Sequence, residues 1–444
     1  MYLLKDEIEK TIKIAYPVII GQLGFIMMGV VDSIMVGSIG AIPLASATLA
    51  NSLFILLFIV GLGISIAVTP LVAIAVGGNR YEECGVLFRQ SLLVNMTAGV
   101  VLALLIIISS NFLVYIDQPP EVVGQAQSYS RILGLSVIPS MLFASYKQFI
   151  EGFSVMKPAM IVVLLANLIN ILVNWLLIFG KLGFPALGLN GAGWATFTSR
   201  VFMALVIMVY VMRSGRFRQY DVTFHFKSIN KKIIRKILAL GLPGGIQYFF
   251  EVGAFSFAVV MVGWLGTNQL AAHQIAINLA SISFMSAVGV SAAGSIRVGN
   301  AVGKKNIAET RRAGFTAIII SASIMSCFGI AFISLRNILP HLYIENPAVI
   351  SFASSVLVIA ALFQISDGVQ AVGIGILRGL MDVKAPTLIT FIAYWIIALP
   401  IGYLLGFIFE YGIIGIWIGL LLGLTSSAFM LTFRFNRKSK NIIL

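Results

Sequence analysis

Twelve apolar stretches, each long enough to cross a lipid bilayer, leave this chain few options. They run approximately over 12–36, 44–76, 92–114, 128–150, 160–179, 185–211, 237–264, 270–296, 313–335, 349–376, 387–409 and 413–433. A helix needs roughly 20 residues to traverse ~30 Å of hydrocarbon. The runs also lack the period-two alternation of barrel strands. The expected fold class is an all-α polytopic membrane protein with twelve transmembrane helices. Composition agrees, because 59% of the residues are hydrophobic and 10% charged, too little charge to cover a soluble protein of this length. Lysines precede the first run, as in a signal peptide. That run is too long and lacks a small-residue cleavage pattern, so it is expected to stay as the first span.

The net charge of +14 raises nucleic acid as a partner, but the distribution of the charge argues against it. Of the 30 Lys and Arg residues, 26 fall in the N-terminus, the even-to-odd connections and the C-terminus. The opposite connections hold only Lys181 and Arg336, while Arg131 lies near a span end and Arg200 within a span. This asymmetry is the positive-inside rule, and it predicts both termini in the cytoplasm.

The polar segment 214–236 divides the chain into an N-terminal six-helix lobe (1–213) and a C-terminal one (237–444). At an offset of 226 residues the halves match without a gap. Pro17 falls on Pro243, Met35-Val36-Gly37 on Met261-Val262-Gly263, Gly63 on Gly289, Ser65 on Ser291, and Ala75-Val76-Gly77 on Ala301-Val302-Gly303. YIDQPP (115–120) matches YIENPA (343–348) at 228, and Gly152 and Lys157 match Gly379 and Lys384 at 227. Six helices per copy preserve orientation, so the lobes are two parallel six-helix repeats. Secondary transporters use such repeats with a midplane site, although duplication also serves purely structural ends.

Of the 16 acidic residues, only Asp32, Glu251 and Asp367 lie within spans. A charge at mid-membrane costs ~2.5–3.5 kcal/mol on insertion scales, so such residues face a cavity or a partner and mark ion or substrate paths. Their repeat-mates are Ala258, Phe25 and Pro139. The duplicated architecture therefore did not require these carboxylates. The alternative is a neutral acid hydrogen-bonded between helices.

Polar neighbours support a cavity. Asn167, Asn170 and Asn174 recur on one face of span 5. Gln247 and Glu251, like Gln274 and Asn278, are four residues apart, and Gln364, Asp367 and Gln370 are three apart. Interhelical glue is the competing reading of such stripes. Carboxylates with side-chain amides suit a hard cation such as Na⁺, and desolvated carboxylates can equally carry protons. Phe284 in span 8 is a candidate cation–π contact. For Arg200, a partner carboxylate or a snorkelling path outranks a substrate role.

Other chemistry finds little support. GNAVGKK (299–305) resembles a phosphate loop but has one residue too few between its glycines and lysine where Ser or Thr belongs. No ATP site is expected. Cys84 and Cys327 carry no disulfide framework, and His225, His273 and His341 are scattered, so neither a resident cofactor nor enzyme chemistry is expected.

The motifs YPVIIGQLG, VDSIMVG, ANLINILVNW, GLPGGIQYFFEVGAF, GTNQLAAHQIAIN, RVGNAVG and SDGVQAVGIGILRG together resemble the multidrug and toxic-compound extrusion (MATE) family, and within it the NorM-like bacterial branch. The resemblance implies a V-shaped two-lobe antiporter of the bacterial inner membrane, working as a monomer. It would export cationic amphipathic small molecules in exchange for Na⁺ or H⁺. It further implies Glu251 and Asp367 as the coupling-cation pair, and so as the Na⁺ ligands. Asp32 with Asn170 and Asn174 would form a second site, and Phe284 would be the aromatic contact. Gln274, Asn278 and Gln364 join the candidate cavity set. Phe363 departs from the pattern: it stands one turn before Asp367, where some relatives carry tyrosine, and its missing hydroxyl argues against strict Na⁺ selectivity. The nearest rival is a flippase for lipid-linked oligosaccharides. Its pyrophosphate cargo would want several cavity arginines or lysines, whereas the mid-span set is three acids and one arginine.

Overall fold

The computed structural model describes residues 2–115, 118–220 and 229–441, with side chains from residue 5 onward. Asp117, Asp221, His225 and the stretch 221–228 of the expected linker lie outside the described residues. Among the described residues all regular structure is helical. Helices α1 (Tyr2–Gly37), α2 (Ala41–Ile66), α3 (Val68–Gly77), α4 (Tyr81–Ser110), α5 (Pro120–Gly152), α6 (Lys157–Phe179) and α7 (Leu189–Arg213) build the first half. The second comprises α8 (Lys231–Trp264), α9 (Thr267–Gly303), α10 (Ile307–Ser334), α11 (Pro347–Gly379), α12 (Lys384–Phe391), α13 (Leu399–Tyr403) and α14 (Gly412–Lys440). Helices α2 and α3 form one span, broken where Pro70 cannot donate to Ile66. Helices α12 and α13, with the π-helical segments Ile392–Ala398 and Leu404–Ile408, form another.

Eleven of these spans are long and apolar enough to cross a membrane. The twelfth is α5, whose 33 residues include Glu121, Arg131, Lys147 and Glu151 and which packs within its own unit. The helices outrun the apolar stretches. At ~1.5 Å per residue the 36-residue α1 is about 54 Å long, because a helix continues past the hydrocarbon edge wherever its backbone bonds stay satisfied.

The chain packs as two compact units. One comprises residues 1–19, 77–79 and 246–444, and the other residues 20–76 and 80–245. The unit boundary falls after Ile19 in α1 and after Gly245 in α8, positions separated by the repeat offset of 226. The first half of each helix therefore packs with the unit built mainly from the other repeat.

Two pairs of glycine contacts show the duplication in three dimensions. A Cβ on Gly63 would strike the backbone of Gly245, and one on Gly289 would strike Ile19, the repeat-mate of Gly245. Likewise Gly152 closes on Val72 and Thr69, and Gly379 on their repeat-mates Val298 and Ser295. Small residues let membrane helices approach closely where no hydrophobic force drives them together. Each unit also has its own apolar core. In the first half this includes Phe54, Ile106, Leu133 and Met141, and in the second Met261, Phe363, Trp417 and Leu420.

Candidate functional site

In the unit containing the C-terminal helices, α8 contributes Glu251 and α11 contributes Gln364, Asp367 and Gln370. Glu251 is 9% exposed, Asp367 5%, and the two glutamines not at all. The helical period puts Asp367 and Gln370 on one face, one turn apart, and that face meets Glu251. Gln370 Nε2 donates to Glu251 Oε1 at 3.2 Å and to the Tyr394 hydroxyl at 2.9 Å. That hydroxyl has Gln370 Oε1 at 3.1 Å and lies within hydrogen-bonding reach of Glu251. The charges of Asp367 and Glu251 act on each other. Among the described residues no cluster of three His, Cys, Asp or Glu forms. The oxygens gathered here are thus two carboxylates, an amide and a phenol, a donor set that fits a small hard cation or a shared proton.

Tyr394 was not legible as a site residue. It stands in the π-helical segment Ile392–Ala398, where one extra residue per turn re-aims the side chains. Its neighbour Trp395 donates Nε1 to the Phe250 carbonyl at 3.0 Å, tying this segment to α8 beside Glu251. The only sequence signal was a tyrosine in mid-span, whose hydroxyl needs a partner when buried. Phe363 turns elsewhere. It is 2% exposed and packs against Phe255 and Trp417 at 6.2 and 5.6 Å between ring centres. A hydroxyl at 363 would therefore enter an apolar core, and the phenol beside Glu251 comes from Tyr394 instead.

The other candidates of this half separate. Gln364 Oε1 accepts from Ser283 Oγ at 2.8 Å, and its Nε2 is buried without a partner. Gln274 and Asn278 lie on an exposed face of α9 and bond to each other at 3.4 Å. Phe284 is half-buried, packed with Phe328 against Ala287, Met325 and Ala371.

The second constellation lies in the unit containing most of the N-terminal helices. Asp32 Oδ1 accepts from Asn174 Nδ2 at 2.6 Å, and Oδ2 accepts from Thr196 Oγ1 at 3.0 Å. Asn174 also donates to Asn170 Oδ1 at 3.2 Å. The four-residue spacing of the asparagines along α6 stacks both on one face toward Asp32. Asn170 Nδ2 and Asn174 Oδ1 are buried and lack partners, leaving one donor and one acceptor open beside the carboxylate. Arg200, on α7 one turn beyond Thr196, acts electrostatically on Asp32. Its guanidinium donates to Ser136 Oγ at 2.6 Å and stacks over Phe54 at 4.8 Å and Phe58 at 5.7 Å. Thr196 escaped the sequence reading, because a threonine in a span is ordinarily bonded to its own helix.

Each unit thus holds its own carboxylates within spans, buried at Glu251 and Asp367 and half-buried at Asp32, presented by helix faces beside side-chain amides. A profile of the MatE family matches residues 17–176 and 243–404. The two matches begin 226 residues apart, the offset of the repeat. The chain belongs to the MatE family. Among MatE relatives, it is 37% identical over 445 residues to a probable multidrug resistance protein NorM of Mesorhizobium japonicum, spanning 99% of this chain and 95% of that one. It is 33% identical over 434 residues to the multidrug resistance protein MdtK of Yersinia pseudotuberculosis, spanning 96% and 95%. A solved structure described as the outward-facing conformation of a multidrug resistance MATE family transporter of the MOP superfamily superposes with a TM-score of 0.91. Its identity is 19%, over 98% of this chain and 96% of that one. This likeness establishes the MatE fold.

Proposed function

We propose that this MatE protein is a secondary exporter of organic cations, driven by inward movement of Na⁺ or H⁺. The observation that carries the reading is the Glu251–Gln370–Tyr394 network beside Asp367, two carboxylates held in a membrane-spanning bundle. Such groups are retained at this energetic cost where they bind or relay cations. The names of the relatives supply the multidrug character, and the acidic rather than basic mid-span set supplies the preference for cationic, amphipathic cargo.

The cycle requires that each ligand favour a different conformation, since a ligand with equal affinity for both shifts nothing. In the proposed cycle, a coupling cation at Glu251 and Asp367 disfavours bound drug and returns the protein to its inward-open state. Asp32, hydrogen-bonded by Asn174 and Thr196, is a second position where charge is neutralised by a cation, a proton or the substrate. The protein would act as a monomer in the cytoplasmic membrane with both termini inside and without ATP.

The test is efflux of a fluorescent organic cation from proteoliposomes under a Na⁺ gradient alone, then a pH gradient alone. Either gradient should drive wild-type efflux, and Glu251→Gln and Asp367→Asn should abolish it while leaving folded protein. Wild-type rates in both mutants, or a wild type driven by neither gradient, would sink the reading.

A further inference from the structure

Arg378 is a charged group the transport reading leaves unused. Its place in an even-to-odd connection marks it as one more topology charge, but its surroundings differ from those of a solvated lysine. The guanidinium lies 5.9 Å from the centre of the Tyr248 ring, within cation–π range. Its Nη2 is buried and has no hydrogen-bond partner. A buried guanidinium donor without an acceptor is costly, so this arrangement is poised toward an acceptor.

The coupling carboxylates lie on the same two helices, α8 and α11, that bring Tyr248 and Arg378 together. Tyr248 precedes Glu251 by three residues on α8, so ring and carboxylate share one side of that helix. On α11, Asp367 and Arg378 are eleven residues apart, roughly three turns and within about 20° of one another around the axis. Helical side chains lean toward the N-terminus, which directs Arg378 back along α11 toward Gln370 and Asp367. Glu251 thus lies one helical turn from the ring on which Arg378 rests.

The repeat supplies a contrast. At the offset that aligns Gly152 with Gly379, the mate of Arg378 is Glu151, occupied in an ion pair with Lys147 at 3.3 Å. The arginine therefore belongs to the half that carries the carboxylate pair. In the other half the arginine near a carboxylate is Arg200, also stacked on aromatic rings and within electrostatic reach of Asp32.

We propose that Arg378 is a tethered counter-cation for Glu251 and Asp367, parked on Tyr248 while a coupling cation occupies the carboxylates and donating its free Nη2 to Glu251 once that cation leaves. The physical reason is that two carboxylates stripped of their cation inside a membrane protein lack compensation. A resident guanidinium moving about one helical turn supplies it and so promotes release. Arg378 is thus a positioning residue for the cation step. The proposal rests on the exporter reading.

The experiment measures the half-saturating concentration of whichever cation, Na⁺ or H⁺, drives wild-type efflux in proteoliposomes, together with the maximal rate. Binding of the same cation to purified protein is measured alongside. Arg378→Gln should tighten cation binding roughly five- to tenfold, in the range of ordinary site coupling, and slow maximal efflux because release is impaired. Arg378→Lys, which keeps the charge, should restore the wild-type half-saturation. Tyr248→Leu removes the parking place, frees Arg378 for Glu251 and should shift half-saturation in the opposite direction. That opposite sign distinguishes the proposal from a loss of packing and keeps it testable if the glutamine variant does not fold. Unchanged cation affinity in Arg378→Gln, or shifts of the same sign in Arg378→Gln and Tyr248→Leu, would overturn it. A wild type driven by neither gradient would overturn the exporter reading itself, and the counter-cation with it.

Discussion

The side-chain amide of Gln370 donates to Glu251 Oε1 across 3.2 Å while also reaching the Tyr394 hydroxyl at 2.9 Å, so one residue of α11 joins two other spans at a buried carboxylate. Gln370→Ala takes a hydrogen bond from each partner and leaves Glu251 and the Tyr394 hydroxyl only one another. Leaving buried polar groups unsatisfied costs about 1–3 kcal/mol each. The variant should melt at lower temperature in detergent and show altered cation half-saturation. Tyr394→Phe should produce a smaller loss of the same kind. A double-mutant cycle returning purely additive effects would show that the three groups do not act as one network.

Asp32 accepts from two donors, Asn174 at 2.6 Å and Thr196 at 3.0 Å. Asp32→Asn keeps the volume and an acceptor for Asn174 but removes the charge, so drug efflux should fall to background in well-folded protein. Thr196→Val removes only the 3.0 Å hydroxyl donor, with an expected loss of about 0.5–1.5 kcal/mol of stability and measurable residual efflux. Paired efflux and melting measurements separate the charge from the scaffold. Equal efflux in the two variants would contradict this division.

A buried ion pair ties the start of α1 to α9. Arg297 contacts the Glu7 carboxylate and donates to the Glu7 carbonyl at 2.7 Å and to Thr11 Oγ1 at 2.5 Å, with Glu7 7% and Arg297 9% exposed. Removing one partner of such a pair costs about 3–5 kcal/mol, whereas replacing both by apolar groups is often neutral. Arg297→Met should therefore be strongly destabilised in thermal melts, and adding Glu7→Leu should recover most of the loss.

Gly63 sits where α2 meets α8 backbone to backbone. Gly63→Ala should lower the yield of monodisperse protein, because neither glycine backbone can retreat. Gly29→Ala, with nothing within 4 Å of the added carbon, should be tolerated. Size-exclusion profiles of the two variants give the comparison.

The spans were legible because the bilayer imposes length and apolarity on each of them, and the repeat because equivalent helices must approach equally closely at Gly63 and Gly289 or at Gly152 and Gly379. The stretch 128–150 was legible too, although α5 carries more polar residues than the other spans, since a helix buried among helices need not look like one facing lipid. Asp32, Glu251 and Asp367 stood out because charge in an apolar run is expensive wherever it occurs. Spacing put Asn170 and Asn174 on one face of α6, while their place beside Asp32 was implied only by the family resemblance.

Partners on other helices were a different matter. Thr196 and Tyr394 carry no charge and follow no motif spacing, and their roles exist only because α7 and a π-helical segment bring them to Asp32 and Gln370. Phe363 shows the same limit. The family resemblance made its position a possible ligand position, and the rotation of α11 put it in the core. Arg378 has the sequence position of a topology charge, and only the fold buries its Nη2 and sets its guanidinium against Tyr248. The sequence by itself determined the membrane-spanning architecture, its duplication and the unpaired cost of three carboxylates, because hydrophobic length and charge burial are properties of local composition. Only the tertiary structure decided which neutral groups complete each site, because a hydrogen bond of about 3 Å depends on how separate helices are rotated and packed, and that is not encoded in the spacing along any one of them.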